Sequence, residues 1–154
     1  MASFEYLPLV LTGLGLTASI IYYASVLRNS NKTRQTQVIM NLISSFFSTE
    51  TRLVFEQMMM MQWDDYEDFR RKYDSSVNPE NYSYRYNLWK MFDNLGYMLH
   101  QGLTDIDTIY NLLGGANLLL FWEKFSPIVL KQRENYGESD YFEWWEYLID
   151  EVSK

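Results

Sequence analysis

The chain has 154 residues, 47% apolar and 21% charged, which is the composition of a folding polypeptide and the length of about one domain. It contains no cysteine, so a disulfide framework, a thiolate zinc site and an iron–sulfur cluster are excluded. Its formal net charge of −7 argues against nucleic acid as a partner, because backbone binding draws its affinity from Lys and Arg neutralising phosphates.

From Tyr6 to Leu27 there is no Asp, Glu, Lys, Arg or His. As a helix this stretch is about 33 Å long, roughly one hydrocarbon core. Phe4 and Tyr6 mark one edge and Tyr22 and Tyr23 the other, where rings meet lipid and polar tips meet headgroups, and Pro8 falls in the first turn, where its missing N–H costs nothing. Residues 1–27 are therefore expected to be a transmembrane anchor. A cleaved leader would have a basic start and a shorter apolar core, whereas only Glu5 precedes this run. A core helix of a soluble protein is rarely charge-free over such a length between paired aromatics.

Arg28, Lys32 and Arg34 follow the apolar run and no Lys or Arg precedes it, so the positive-inside bias assigns the C-terminal side to the cytoplasm. Within the run Gly15 and Ser19 are four residues apart, and Thr12, Gly13, Thr17 and Ala18 add small positions that would let another helix approach closely. Residues 28–37 are polar and non-periodic and read as a juxtamembrane stalk.

Residues 38–154 read as helical throughout. Val38, Ile39, Leu42, Ile43, Phe46 and Phe47 make one apolar face. Ser48 is placed to cap a helix carrying Leu53, Val54, Met58 and Met61, and Asp64 with Glu67 resembles a capping box for a short helix carrying Tyr66, Phe69 and Tyr73. Asn78-Pro79-Glu80 opens a long helix with Trp89, Phe92, Gly96 and Leu99, ended by Gly102 with Leu103 folding back. Thr104 with Asp107 starts the next, up to a break at Gly114-Gly115. Leu118, Trp122, Phe125 and Val129 mark a helix that contains Pro127, where a kink is expected, and stops at Gly137. Ser139 or Asp140 would cap a final helix with Tyr141, Trp144, Trp145 and Leu148, and the acids concentrated between Glu134 and Lys154 read as a solvated face.

Catalytic groupings are not marked. The sole histidine, His100, sits in the last turn of its helix, where an imidazolium would complement the dipole. There is no Glu-x-x-His pair, and Asp64, Asp65, Glu67 and Asp68 lack the glycine and spacing of a calcium loop. Met58 to Met61 are consecutive, so on a helix their thioethers diverge by about 100° per residue and cannot converge on one copper ion. Asp93, Glu123 and Arg133 are polar positions near aromatic faces. They read either as a buried Arg–carboxylate pair fixing helix register or as a small-ligand pocket.

Tyr22-Tyr23 with Arg28-Asn29-x-Asn31-Lys32-x-Arg34 carries a resemblance, as do Gly96-Tyr97, Gly102-Leu103, Tyr110, Leu113-Gly114, Trp122-Glu123, Pro127 and Arg133. Over most of its length the chain resembles an archaeal and bacterial family of unknown function with one N-terminal membrane helix and a helical domain. The resemblance implies the topology and transfers no site residue.

The expected architecture is all-α, with one N-terminal transmembrane helix followed by a compact bundle of about six helices. The expected location is the cell membrane, single-pass, with the domain in the cytoplasm. The expected function is a protein-interaction module, acting as a tether, scaffold or accessory subunit of a membrane complex. Its partners would be the bilayer and another protein or a second copy, with no nucleic acid, metal or cofactor. The alternative is a membrane-attached enzyme or small-ligand sensor with a pocket between helices.

Overall fold

Short polar side chains decide where most of the helices begin. The computed structural model describes residues 6–154, apart from the side chains of residues 35, 42, 43 and 45. Phe4, Glu5 and the expected apolar contacts of Leu42 and Ile43 lie outside the described residues. Seven helices follow in order: α1 Leu7–Phe46, α2 Thr49–Met60, α3 Tyr66–Tyr73, α4 Pro79–His100, α5 Ile106–Leu113, α6 Gly115–Tyr136 and α7 Glu143–Val152. No strand occurs among the described residues, so the fold is all-α.

Ser48 accepts from the Thr51 N–H at the start of α2, and Asn78 accepts from the Asn81 N–H at the start of α4, with Pro79 in the first turn. Each cap satisfies one of the donors that a helix start leaves unpaired. Two caps fall one residue beyond the sequence expectation. Asp65 rather than Asp64 caps α3, accepting from the Asp68 N–H at 2.8 Å, and Asp105 rather than Thr104 caps α5, accepting from the Thr108 N–H at 2.7 Å. A carboxylate reaches the third N–H wherever the chain turns, so adjacent polar residues compete and the backbone path selects one.

The end of α4 is a left-handed turn. Gly102 has φ 65°, and the Leu103 N–H folds back to the Met98 carbonyl at 2.9 Å, the reversal expected from the Gly-Leu pair. Within the Gly114-Gly115 pair Gly114 alone separates α5 from α6, whose first residue is Gly115, and α6 continues past Pro127 as one helix.

By its contacts the chain divides into two units, residues 1–38 and 39–154. The first is helical from Leu7 onward and includes residues 28–37, where the expected stalk is an uninterrupted part of α1. The second is organised around aromatic rings. Trp89 and Phe92 of α4, Phe121 and Phe125 of α6 and Trp145 of α7 are all fully or almost fully buried. Phe92 lies 5.3 Å from Phe121 and 5.5 Å from Trp145, and Trp89 lies 5.4 Å from Phe125 between ring centroids. Burying such side chains contributes about 1.5–3 kcal/mol each, and favourable ring geometry adds about 1 kcal/mol per pair.

The α4–α7 crossing is a close approach of two backbones. A Cβ on Gly96 would stand 1.8 Å from the Trp144 carbonyl oxygen and 3.2 Å from the Leu148 Cβ. Backbone meets backbone there, so no rotamer change can make room. Gly96→Ala is expected to destabilise the protein by about 3 kcal/mol or more. Gly102→Ala, which meets nothing but must hold a positive φ, should cost only about 1 kcal/mol. Denaturant unfolding of the full chain in detergent, followed by tryptophan fluorescence, checks both, and equal losses would contradict the packing account.

Candidate functional site

The first unit presents its chemistry on the surface of one helix. Leu9 (72% exposed), Leu11, Leu14, Leu16, Ile20, Ile21 and Leu27 all lie open on α1, an apolar surface that water does not tolerate uncovered. The helix is long and apolar enough to cross a membrane. Its hydroxyls are internally satisfied: Thr12, Thr17, Ser19 and Ser25 donate to the carbonyls of Pro8, Gly13, Gly15 and Ile21 at 2.8–2.9 Å. In hydrocarbon this arrangement removes the cost of an unpaired donor. Gly13 and Gly15 meet no neighbouring atom, which leaves the small-residue stripe with Ser19 open. Arg28, Lys32 and Arg34 are exposed at the C-terminal end of the apolar run.

Two of the three polar positions singled out in the domain attach α7. Asp93 is buried on α4; its Oδ2 accepts from Lys90 Nζ at 2.6 Å, and its Oδ1 accepts from the backbone N–H groups of Trp144 and Trp145 at 3.2 and 3.3 Å. Phe142, the N-cap of α7, has φ 56° and supplies no side-chain cap. The cap expected from Ser139 or Asp140 is therefore provided from another helix, where a negative charge also favours the helix dipole.

Arg133 of α6 donates from Nε to the Tyr141 carbonyl at 2.8 Å and from Nη1 to Glu146 Oε2 at 2.6 Å. An Arg–carboxylate pair exists, but its acid is Glu146. Glu123 is exposed, and its carboxylate makes no hydrogen bond or ion pair among the described residues. The three positions do not form one pocket.

A different constellation lies between α3, α4 and α6. Arg85 on α4 is buried, 2% exposed, and donates to the Tyr73 carbonyl from both terminal nitrogens, at 3.3 and 3.2 Å, and to Asn81 Oδ1 at 2.8 Å. The Phe69, Trp89 and Tyr82 rings lie 4.6, 5.3 and 5.5 Å from its guanidinium carbon. Arg85 forms no ion pair with a carboxylate among the described residues, and burial pulls its guanidinium down to about 10. Neutral carbonyls and ring faces carry the compensation that a carboxylate usually gives.

Arg85 lines a chamber of about 300 Å³ with Tyr82, Tyr141, Gln132, Asp74 and Glu138 among its walls. Gln132 Oε1 is buried without a hydrogen-bond partner, and burial pushes the Tyr141 phenol up. Asp74, also on the wall, is held below its usual range, first by the Ser76 N–H. Sequence reasoning missed Arg85 and Gln132. A signal existed for Arg85, which stands four residues before Trp89 and seven before Phe92 on the apolar face of α4; Gln132 carried none.

A second polar cluster closes the turn into α3. Asp68, buried, accepts from the Asp64 N–H, from Lys72 Nζ at 2.6 Å and from Arg71. The Lys72 hydrogen bond is the main cause holding its carboxyl below the ordinary range. Lys124 Nζ donates to the Met61 carbonyl at 2.6 Å over the Trp63 ring. Met58 and Met61 are core residues, while Met60 is largely exposed, so the run is split between packing and surface.

Removing the interhelical cap with Asp93→Ala should cost about 2 kcal/mol, while Asp93→Asn, whose amide oxygen can still accept, should recover part of it. Denaturant midpoints compare the two, and equal losses would remove the capping role. For Asp68 the folded pKa is the lower one, so its contribution is present above the unfolded value near about 4 and lost as pH falls through the folded value. Asp68→Asn should therefore flatten the acid limb of a plot of unfolding midpoint against pH, leaving the shape near neutrality unchanged.

No curated protein and no solved structure matches the chain. A family model matches residues 9–152, from the first turn of the apolar helix to the end of α7. This chain belongs to the family described as Domain of unknown function (DUF4760).

Proposed function

We propose that this protein is a single-pass membrane protein of the cell membrane whose cytoplasmic helical domain is a protein-interaction module, a tether, scaffold or accessory subunit rather than a catalyst. The observation that carries this reading is the surface of α1 between Leu7 and Leu27, apolar and exposed along its length with its hydroxyls bonded to their own helix. Arg28, Lys32 and Arg34 support the orientation, since cytoplasmic flanks carry the excess of Lys and Arg, and they would also favour an anionic leaflet. Gly15 and Ser19 support a helix partner in the bilayer, because small side chains let two backbones approach. Interhelical bonds hold Asp93 and Arg133 in structural roles, which favours binding over chemistry.

A second reading, small-ligand sensing by the domain, is favoured by one observation, the chamber at Arg85.

Alkaline extraction of membranes tests the first reading: the protein should remain in the pellet until detergent is added. A C-terminal tag should be cleaved by protease in inverted vesicles and protected in intact cells. Recovery of the unmodified chain in the supernatant would overturn membrane insertion, and cleavage in intact cells would reverse the orientation.

A further inference from the structure

The Arg85 chamber is lined by charges of both signs. At the α4 wall stands a guanidinium whose hydrogen bonds go only to neutral oxygens. On other walls are the carboxylates of Asp74 and Glu138, the guanidinium of Arg70, and Gln132, whose Oε1 is buried without a partner. Asp74 is partly engaged, by Ser75 and Ser76 and at 3.7 Å by Arg70, whereas the Glu138 carboxylate makes no hydrogen bond or ion pair among the described residues. Rings of Phe69, Tyr82 and Tyr141 fill the surface between.

A guanidinium fork matches a carboxylate, and a buried cation gains most from an anion that water cannot screen. The two acids on the walls balance Arg70 and Arg85 in formal charge, so a ligand of zero net charge suits the lining better than a dianion such as phosphate. The acids favour an ammonium, as does an amide oxygen that needs a donor. A chamber of about 300 Å³ is at the small end of ligand sites. We propose that this chamber binds a free α-amino acid, with the carboxylate at Arg85, the ammonium toward Gln132 Oε1 and Glu138, and the side chain against the tyrosine rings. The inference rests on the ligand-sensing reading and adds to it the chemical class of the ligand.

The test is thermal unfolding of the full-length protein in detergent micelles with each common amino acid, its N-acetyl derivative and its carboxamide, at constant ionic strength. At least one amino acid should raise Tm by roughly 5 °C at saturation, and both derivatives should fail, since each lacks one charged end. Arg85→Met should abolish the shift but removes a buried group that also holds Tyr73. Two milder variants therefore carry the assignment. Gln132→Leu removes an acceptor that has no partner and should weaken binding about tenfold. Glu138→Gln, on an exposed residue, should weaken it roughly threefold. Unchanged affinity in both variants would overturn the proposal. If N-acetyl derivatives stabilise as strongly as the free amino acids, the zwitterion assignment is overturned while ligand binding stands. If no amino acid or derivative moves Tm, both fall.

Discussion

A helix start exposes backbone donors that must be paired, and α7 cannot pair its own. Phe142 occupies the cap position in a left-handed conformation and has no oxygen to offer. Asp93 reaches across from α4 and accepts from Trp144 and Trp145, and this bond depends on the absence of a side chain at Gly96, where the two backbones nearly touch. The cap therefore requires close approach, and close approach leaves the carboxylate in a dry setting, where a hydrogen bond to charge is strong. Trp145 is delivered into the ring cluster by the same contact. Arg133 holds the other side of α7 through the Tyr141 carbonyl and Glu146, so the last helix is clamped from α4 and from α6.

The domain handles its buried charges in two different ways. Asp93 has a cation at 2.6 Å and two backbone donors, and Asp68 has two cations and one backbone donor, so their desolvation is met by full pairing. Arg85 has only neutral oxygens and ring faces. A charge compensated in that manner is one for which an anion would still be welcome, and it borders open space. Packing alone would be served by an apolar residue at position 85, among the rings of Phe69 and Trp89.

The first unit answers to a separate physical rule. Its apolar residues repeat all round α1 without selecting one face, and its hydroxyls turn back onto carbonyls of the same helix. A helix packed against a water-soluble core needs one apolar stripe; a helix surrounded by hydrocarbon needs the whole circumference.

Most of the helix plan was legible in the sequence because it rests on local physics. Caps at Ser48 and Asn78, proline at position 79 and the left-handed turn at Gly102 each depend on residues within about one turn of one another, and the charge-free run from Tyr6 to Leu27 is contiguous in the chain. What tertiary structure decided involves residues far apart. Asp93 is separated from Trp144 by 51 positions, and no local pattern reveals that α7 borrows its cap from α4. Glu123 looked equivalent to Asp93 as an acid near an aromatic face, but its place on α6 faces solvent. Gln132 acquires its unpaired buried oxygen only when α6 is laid beside Arg85 and Tyr141. Periodicity reports which face of a helix is dry; only packing determines which polar groups are trapped there and which other helix meets them.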